Sequence, residues 1–167
     1  MSCDYPRWAG IRGRPALDGA TSLVHATCIA LEESAAVFVG PSGAGKSDLA
    51  LRCVMQPIAL EGRVTSARLV ADDQVTLERR GSSIWVRPPA AIAGKIEVRG
   101  VGIVVMPHVP EARLRLVVQL VGPGDIERLP EPSETDMLGL TLPAIQIAAL
   151  EASAPFKVLL ALLGASQ

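Results

Sequence analysis

In "VFVGPSGAGKSDLAL", Val37 to Leu51, four residues separate Gly40 from Gly45, and Lys46 and Ser47 follow directly. That is the phosphate-loop spacing, and each residue type has a physical task in it. Glycines let the backbone turn its N–H groups inward without a Cβ in the way. Those N–H groups, with the ones at a helix N-terminus, attract an anion. Gly40, Pro41, Ser42, Gly43, Ala44, Gly45, Lys46 and Ser47 are thus expected to bind nucleotide. Lys46 would reach the β/γ-phosphates, and the Ser47 hydroxyl would ligate magnesium.

A phosphate cradle does not by itself define a reaction. Phosphoryl transfer also needs acidic groups for the metal and a group to handle the acceptor's proton. "RLVADD" offers Asp72 and Asp73 at the tip of an apolar strand, expected beside the loop strand and ending near the phosphates. One carboxylate there can contact Mg2+ directly or through water, and the other can accept a hydroxyl proton. The spacing leaves both assignments open. Glu97, in "KIEVRGVGIVV", is a third acidic candidate. Arg99, two residues on, would share its strand face. Beside Gly100 and Gly102, the two would bring opposite charges close to a ligand. His25 enters from upstream: a hairpin turning near Glu33 sets it opposite the start of the glycine loop, roughly at Pro41.

The elements that must hold these groups can be read from the same rows. "AAVFV" (Ala35 to Val39) is short, apolar and β-branched, as a buried strand is. "KSDLALRCVM" puts Leu49, Leu51, Arg52 and Val54 at helical spacing with no breaker inside. "TSLVHATCIAL" (Thr21 to Leu31) is the β-rich first arm of the hairpin. "QVTLERRGSSIWVRPP" reads as a second hairpin, turning at Gly81, Ser82 and Ser83, and "RLRLVVQLV" as a strongly apolar strand. A polar, proline-rich stretch, "GPGDIERLPEPSETDML", precedes "GLTLPAIQIAAL" and a helix in "SAPFKVLLALLGA". With no internal repeat and no splitting linker, the expected architecture is a mixed α/β sheet carrying the loop helix on one face.

Composition narrows the function classes. A chain of 167 residues, 49% apolar and 20% charged, suits one globular domain and argues against disorder. Aromatics are only 3%, so the core must be aliphatic. The net charge of −1, without a basic block, favours neither nucleic acid nor an anionic membrane as partner. Cys3, Cys28 and Cys53 lack metal or disulfide spacing and fit a reducing cytoplasm. The start has no apolar leader, and "VLLALLG" is too short to span a bilayer.

"GPSGAGKS", "LVADD" and "IEVRGVGI", in this order after a hairpin bearing His25, resemble HPr kinase/phosphorylase. The similarity covers roughly Ser22 to Pro143, and the "EVRGxGI" block is far more specific than the phosphate loop. The resemblance implies an α/β fold, a mixed β-sheet with a P-loop and packed helices, carboxykinase-like. It implies a lead-in over residues 1–20 and a catalytic domain over 21–167. It implies an ATP-dependent kinase that phosphorylates a serine of the phosphocarrier protein HPr, and that can run phosphorolysis with inorganic phosphate. ATP and Mg2+ would be the cofactors. The protein would be a cytoplasmic homo-oligomer, a hexamer by resemblance, without nucleic acid or membrane.

Residue roles follow from the same resemblance. Asp73 would be the acid–base residue, with Asp72 as the alternative, and Glu97 a further magnesium ligand. His25 would be the active-site histidine, and Arg128 in "DIERLP" the mobile-loop arginine that stabilises transferring phosphate. The chain also departs from the pattern. It looks like a short form without the separate N-terminal domain, and "PIALEGRVTS" reads as an insertion between Ser47 and Asp72. "TLPAIQIAAL" keeps only Pro143 of a Pro-, Gly- and Arg-rich phosphorolysis segment, so kinase activity is expected to exceed phosphorolysis. Two competing readings are a small-molecule or carboxykinase-related enzyme and a nucleotide-sensing regulator without turnover. "EVRGVGI" opposes the first; Lys46, Ser47, Asp72, Asp73 and Glu97 together oppose the second.

Overall fold

Short apolar runs bounded by Gly, Pro and acidic turns fold here as strands. The described part of this computed structural model, residues 18–60 and 62–166, holds thirteen of them and two α-helices. In chain order the first are β1 (Thr21–His25), β2 (Thr27–Leu31), β3 (Ser34–Val39), α1 (Lys46–Met55), β4 (Ile58–Leu60), β5 (Arg63–Thr65) and β6 (Arg68–Ala71). Then come β7 (Gln74–Arg80), β8 (Ser83–Arg87), β9 (Lys95–Val98), β10 (Gly102–Val105) and β11 (Ala112–Leu120). The chain closes with β12 (Ser133–Met137), β13 (Leu140–Ile147) and α2 (Ala154–Ala165).

Nine strands share one sheet in the order β1-β7-β8-β11-β3-β2-β6, with β13 also on β11 and β12 on β13. β11 is the hinge of the fork. It runs parallel to β3 along its length, meets β8 antiparallel at Ala112 and Arg113, and meets β13 parallel from Val117 to Leu120. The β11–β3 register slips between Leu114 and Leu116. The slip reverses the alternation, so Leu114 and Leu116 face opposite sides of the sheet although they are two residues apart.

Central strands buried on both faces must be apolar throughout, and β2 and β3 are nearly so. Ile29, Leu31, Ala36 and Phe38 point to the face covered by α1 and α2. There they meet Leu49, Cys53, Val158, Leu159 and Leu162. Cys28, Ala30, Ala35 and Val37 point to the other face, closed by Val75, Leu77, Ile84, Val86, Met137 and Ala144 from the curled outer strands. The two described cysteines are fully buried, and burial holds both thiols neutral: Cys53 is pushed up to about 12 and Cys28 further.

Several expectations need correction. The arm "TSLVHATCIAL" is two strands. Its second half pairs with β3 around a turn at Glu32 and Glu33, but β1 leaves at Ala26 and pairs with β7. His25 therefore lies opposite Gln74, not opposite Pro41. The cause is that β3 ends at Val39, where the chain turns into the glycine loop and offers β1 no further ladder. β6 does not adjoin the loop strand either, because β2 lies between them. Two antiparallel steps nevertheless make β6 run the same way as β3. The second hairpin turns on Gly81 and Ser82 alone, since Ser83 already pairs with Arg80.

The segment read as an insertion forms its own small hairpin, β4 with β5. The helix over "KSDLALRCVM" and the last helix stand where the spacing put them. Residues 1–17 of the expected lead-in lie outside the described residues. Its end is tied down: Gly19 N–H donates to the Arg79 carbonyl at 2.9 Å, and Gly81 N–H to Asp18 Oδ1 at 2.7 Å.

Candidate active site

The parallel relation of β3, β6, β11 and β13 brings four strand C-termini to one edge of the sheet. Ligands of open α/β sheets bind at such edges, because every strand there hands over to a loop that is free to vary. β3 hands over to the glycine loop, β6 to Asp72 and Asp73, β11 to the segment bearing Arg128, and β13 to Ala148, Ala149 and Leu150.

The loop runs from Gly40 to Gly45 and caps α1 at its N-terminus. Two glycines are there for space. A Cβ on Gly40 would meet the Leu120 Cβ at 3.2 Å. Gly45 has φ +92°, and a Cβ on it would meet the Ala149 Cβ at 3.1 Å. The first N–H groups of α1 have no acceptor within the helix and point toward the loop. Lys46 is buried, and its Nζ donates to the carbonyls of Gly40 (2.9 Å) and Pro41 (3.0 Å). Burial lowers its pKa, while the fields of Asp73 and Asp72 raise it.

Asp72 and Asp73 are chain neighbours with opposite surroundings. Asp72 is 5% exposed. Its Oδ1 accepts from Ser47 Oγ at 2.7 Å and Thr27 Oγ1 at 2.8 Å, and its Oδ2 accepts from Glu97 N–H at 3.1 Å. Asp73 has a side chain 67% exposed and a left-handed backbone, φ +67°. Its Oδ1 lies 3.1 Å from His25 Nδ1, which also contacts the Asp73 carbonyl at 2.9 Å. The left-handed turn sends the two side chains apart, one under the loop and one into solvent.

The structure thus brings Lys46, Ser47, Asp72, Asp73 and His25 into one connected cluster. Glu97 joins it through its backbone, while its side chain is exposed. Glu97 and Arg99 do not share a strand face as expected. β9 stops at Val98, and the chain turns through Arg99 and Gly100 (φ +84°). Arg128 is exposed between a 3-10 turn at Pro123–Asp125 and β12, and makes no bond to the cluster. Thr27, a member of the cluster, and Arg52, which braces the loop helix, are not foreseen as functional from the sequence. Thr27 was hidden in an apolar strand, where a lone hydroxyl was the only signal. Arg52, one turn after Asp48, bonds that carboxylate at 3.0 Å and donates to the carbonyls of Ala149 and Glu151.

Do these residues suit a magnesium nucleotide? A hydroxyl and a carboxylate in contact at 2.7 Å are hard oxygen donors beside the glycine loop. Magnesium takes few protein ligands and relies on phosphates and water for the rest. The donor set fits.

Fold and site together define a class: a mixed-sheet α/β domain with a glycine loop and an acidic pair at one strand edge. The chain belongs to the family described as the HPr Serine kinase C-terminal domain, whose profile matches residues 19–159. Among curated relatives, an HPr kinase/phosphorylase of Mycoplasmopsis pulmonis is 32% identical over 104 residues, covering 58% of this chain and 31% of its own. Another from Prosthecochloris aestuarii is 29% identical over 135 residues, covering 74% of this chain and 37% of its own. The chain therefore spans about a third of the length of the relatives it matches. A solved structure, that of the Hpr(Ser) kinase/phosphatase from Coxiella burnetii, superposes with a TM-score of 0.67 at 22% identity. It covers 82% of this chain and 91% of that one, and the two share the mixed-sheet α/β fold expected. Among the described residues no helix is long and apolar enough to cross a membrane.

Proposed function

We propose that the protein is an ATP-dependent serine kinase acting on an HPr-like phosphocarrier protein, with magnesium as the required metal. One observation carries the reading: two adjacent carboxylates held in opposite environments beside a glycine loop. Such a split separates a metal-holding acid from a proton-transferring one.

In this reading the loop N–H groups and Lys46 bind the nucleotide phosphates, and Lys46 exchanges its two carbonyl partners for phosphate oxygens. Ser47 and Asp72 hold magnesium, with Glu97 as a further ligand; when bound, the metal neutralises charge on the phosphates. Asp73, exposed and reachable by a protein substrate, takes the proton from the attacking serine hydroxyl. His25 Nδ1 steadies its carboxylate. Arg128 approaches transferring phosphate from its loop. Family membership and the names of the relatives support this choice of substrate.

The test is to incubate the protein with ATP, Mg2+ and the organism's HPr, and to map phosphate by mass spectrometry. Phosphoserine on HPr is expected. Lys46→Ala should abolish it, because a charge is removed from the β/γ-phosphates while the fold keeps its core. Phosphorylation by a folded Lys46→Ala protein at the wild-type rate would refute the nucleotide assignment.

A further inference from the structure

We propose that Thr27 is a positioning residue for the metal site: its buried hydroxyl fixes the Asp72 carboxylate so that Ser47 presents its oxygen to the magnesium nucleotide. The proposal rests on the function proposed above.

Thr27 is fully buried and opens β2, whose other residues, Cys28, Ile29, Ala30 and Leu31, are apolar. A hydroxyl in that position costs free energy unless it is bonded. Its partner is Asp72 Oδ1, at 2.8 Å. The geometry is enforced by the sheet. β2 and β6 pair antiparallel with Cys28 opposite Ala71 at the end of the ladder, and one step beyond it the chain places Thr27 on one side and Asp72 on the other.

A carboxylate oxygen has two lone pairs. On Asp72 Oδ1 they are taken by the hydroxyls of Thr27 and Ser47, and Oδ2 accepts the Glu97 N–H. Asp72 is therefore gripped by three different elements: β2, the first turn of α1, and β9. Because Ser47 spends its proton on Asp72, its lone pairs are left to face a cation. Without Thr27, Oδ1 keeps a single partner and the carboxylate can rotate, so Ser47 loses its fixed acceptor. Thr27 touches neither nucleotide nor metal in this scheme; it acts through Asp72.

Groups that hold metal ligands in place typically cost tenfold or more in metal affinity when removed. Thr27→Val keeps the shape and deletes the hydroxyl. Mn2+ binding to the full chain, saturated with a non-hydrolysable ATP analogue, is read by electron paramagnetic resonance. A fluorescent ATP analogue reports nucleotide affinity in EDTA. The expected result is a Mn2+ dissociation constant about tenfold or more higher in Thr27→Val, with metal-free nucleotide affinity within about twofold of wild type. Thr27→Ser should stay near wild type. Should Thr27→Val not fold, Thr27→Ala against Thr27→Ser isolates the hydroxyl, since both lose the methyl.

Unchanged Mn2+ affinity in Thr27→Val, or equal values for Ala and Ser, overturns the proposal alone. Parallel weakening of metal-free nucleotide binding also overturns it, marking Thr27 as a packing residue. A wild-type protein that binds no nucleotide overturns the proposed function and this inference with it.

Discussion

At the scale of single residues, Asp72 and Asp73 make separable predictions. Asp73→Asn should keep nucleotide affinity and lose two or more orders of magnitude in turnover, the usual scale for a general base. Asn tolerates a left-handed backbone better than most residues, so the φ of +67° survives the change. Asp72→Asn acts differently. Its amide NH2 can face the two hydroxyls only if both turn to accept from it, and a lone pair that Ser47 held for a cation is then spent on the amide. Replacing the bonds of a buried carboxylate by those of a neutral amide costs about 1–3 kcal/mol. Lowered stability and a raised magnesium requirement are expected, seen in urea unfolding and in a metal titration of the rate. A larger loss of turnover at saturating magnesium in Asp72→Asn than in Asp73→Asn would reverse the two roles. Small, equal losses would remove both from proton transfer.

At the scale of elements, Arg52 ties α1 to the segment after β13. Its guanidinium bonds Asp48 on its own helix and the carbonyls of Ala149 and Glu151. These contacts hold Ala149 against Gly45, where the close Cβ approach leaves no slack. Arg52→Ala strips a charged donor from two carbonyls at once. It should cost about 1–3 kcal/mol in equilibrium unfolding by urea. Nucleotide affinity should fall in the same protein, because the loop loses its backing. A variant as stable as wild type would show that the segment seats itself on Gly45 without the arginine. The Asp48 pair adds little, being a surface i,i+4 contact.

At the scale of the whole molecule, the distribution of cations predicts which direction of reaction dominates. Holding inorganic phosphate in line with phosphoserine requires several fixed positive groups or backbone donors. From Leu140 to Leu150, where β13 runs to the loop edge, the chain carries no cation. The cations nearest in sequence and structure are engaged: Arg52 with carbonyls, and Lys157 with Glu151. Arg79 bonds the Leu138 carbonyl at 3.0 Å, but at the far end of β13. Phosphorolysis should therefore be slower than phosphorylation. The check is to supply phosphoseryl-HPr and millimolar phosphate without ATP and to follow pyrophosphate. A rate equal to that of the forward reaction would show that Arg128 and Lys46 suffice.

The parts of this protein fixed by local chemistry were legible without coordinates. The glycine loop needs small residues at set positions, the loop helix and the last helix need uninterrupted helical spacing, and β11 needs a run rich in Leu and Val. Each depends on neighbours within a few residues, so sequence determines it. Which strands touch depends on distant partners, and only tertiary structure decided that. It split Thr21–Leu31 at Ala26, sent β1 to β7, and slid β2 between the loop strand and β6. It also decided how alike residues differ. Asp72 and Asp73 have the same side chain and adjacent positions. One is buried under three donors from β2, α1 and β9, and the other is turned to solvent by a left-handed backbone. Burial is a property of everything packed around a group, and no spacing along the chain encodes it.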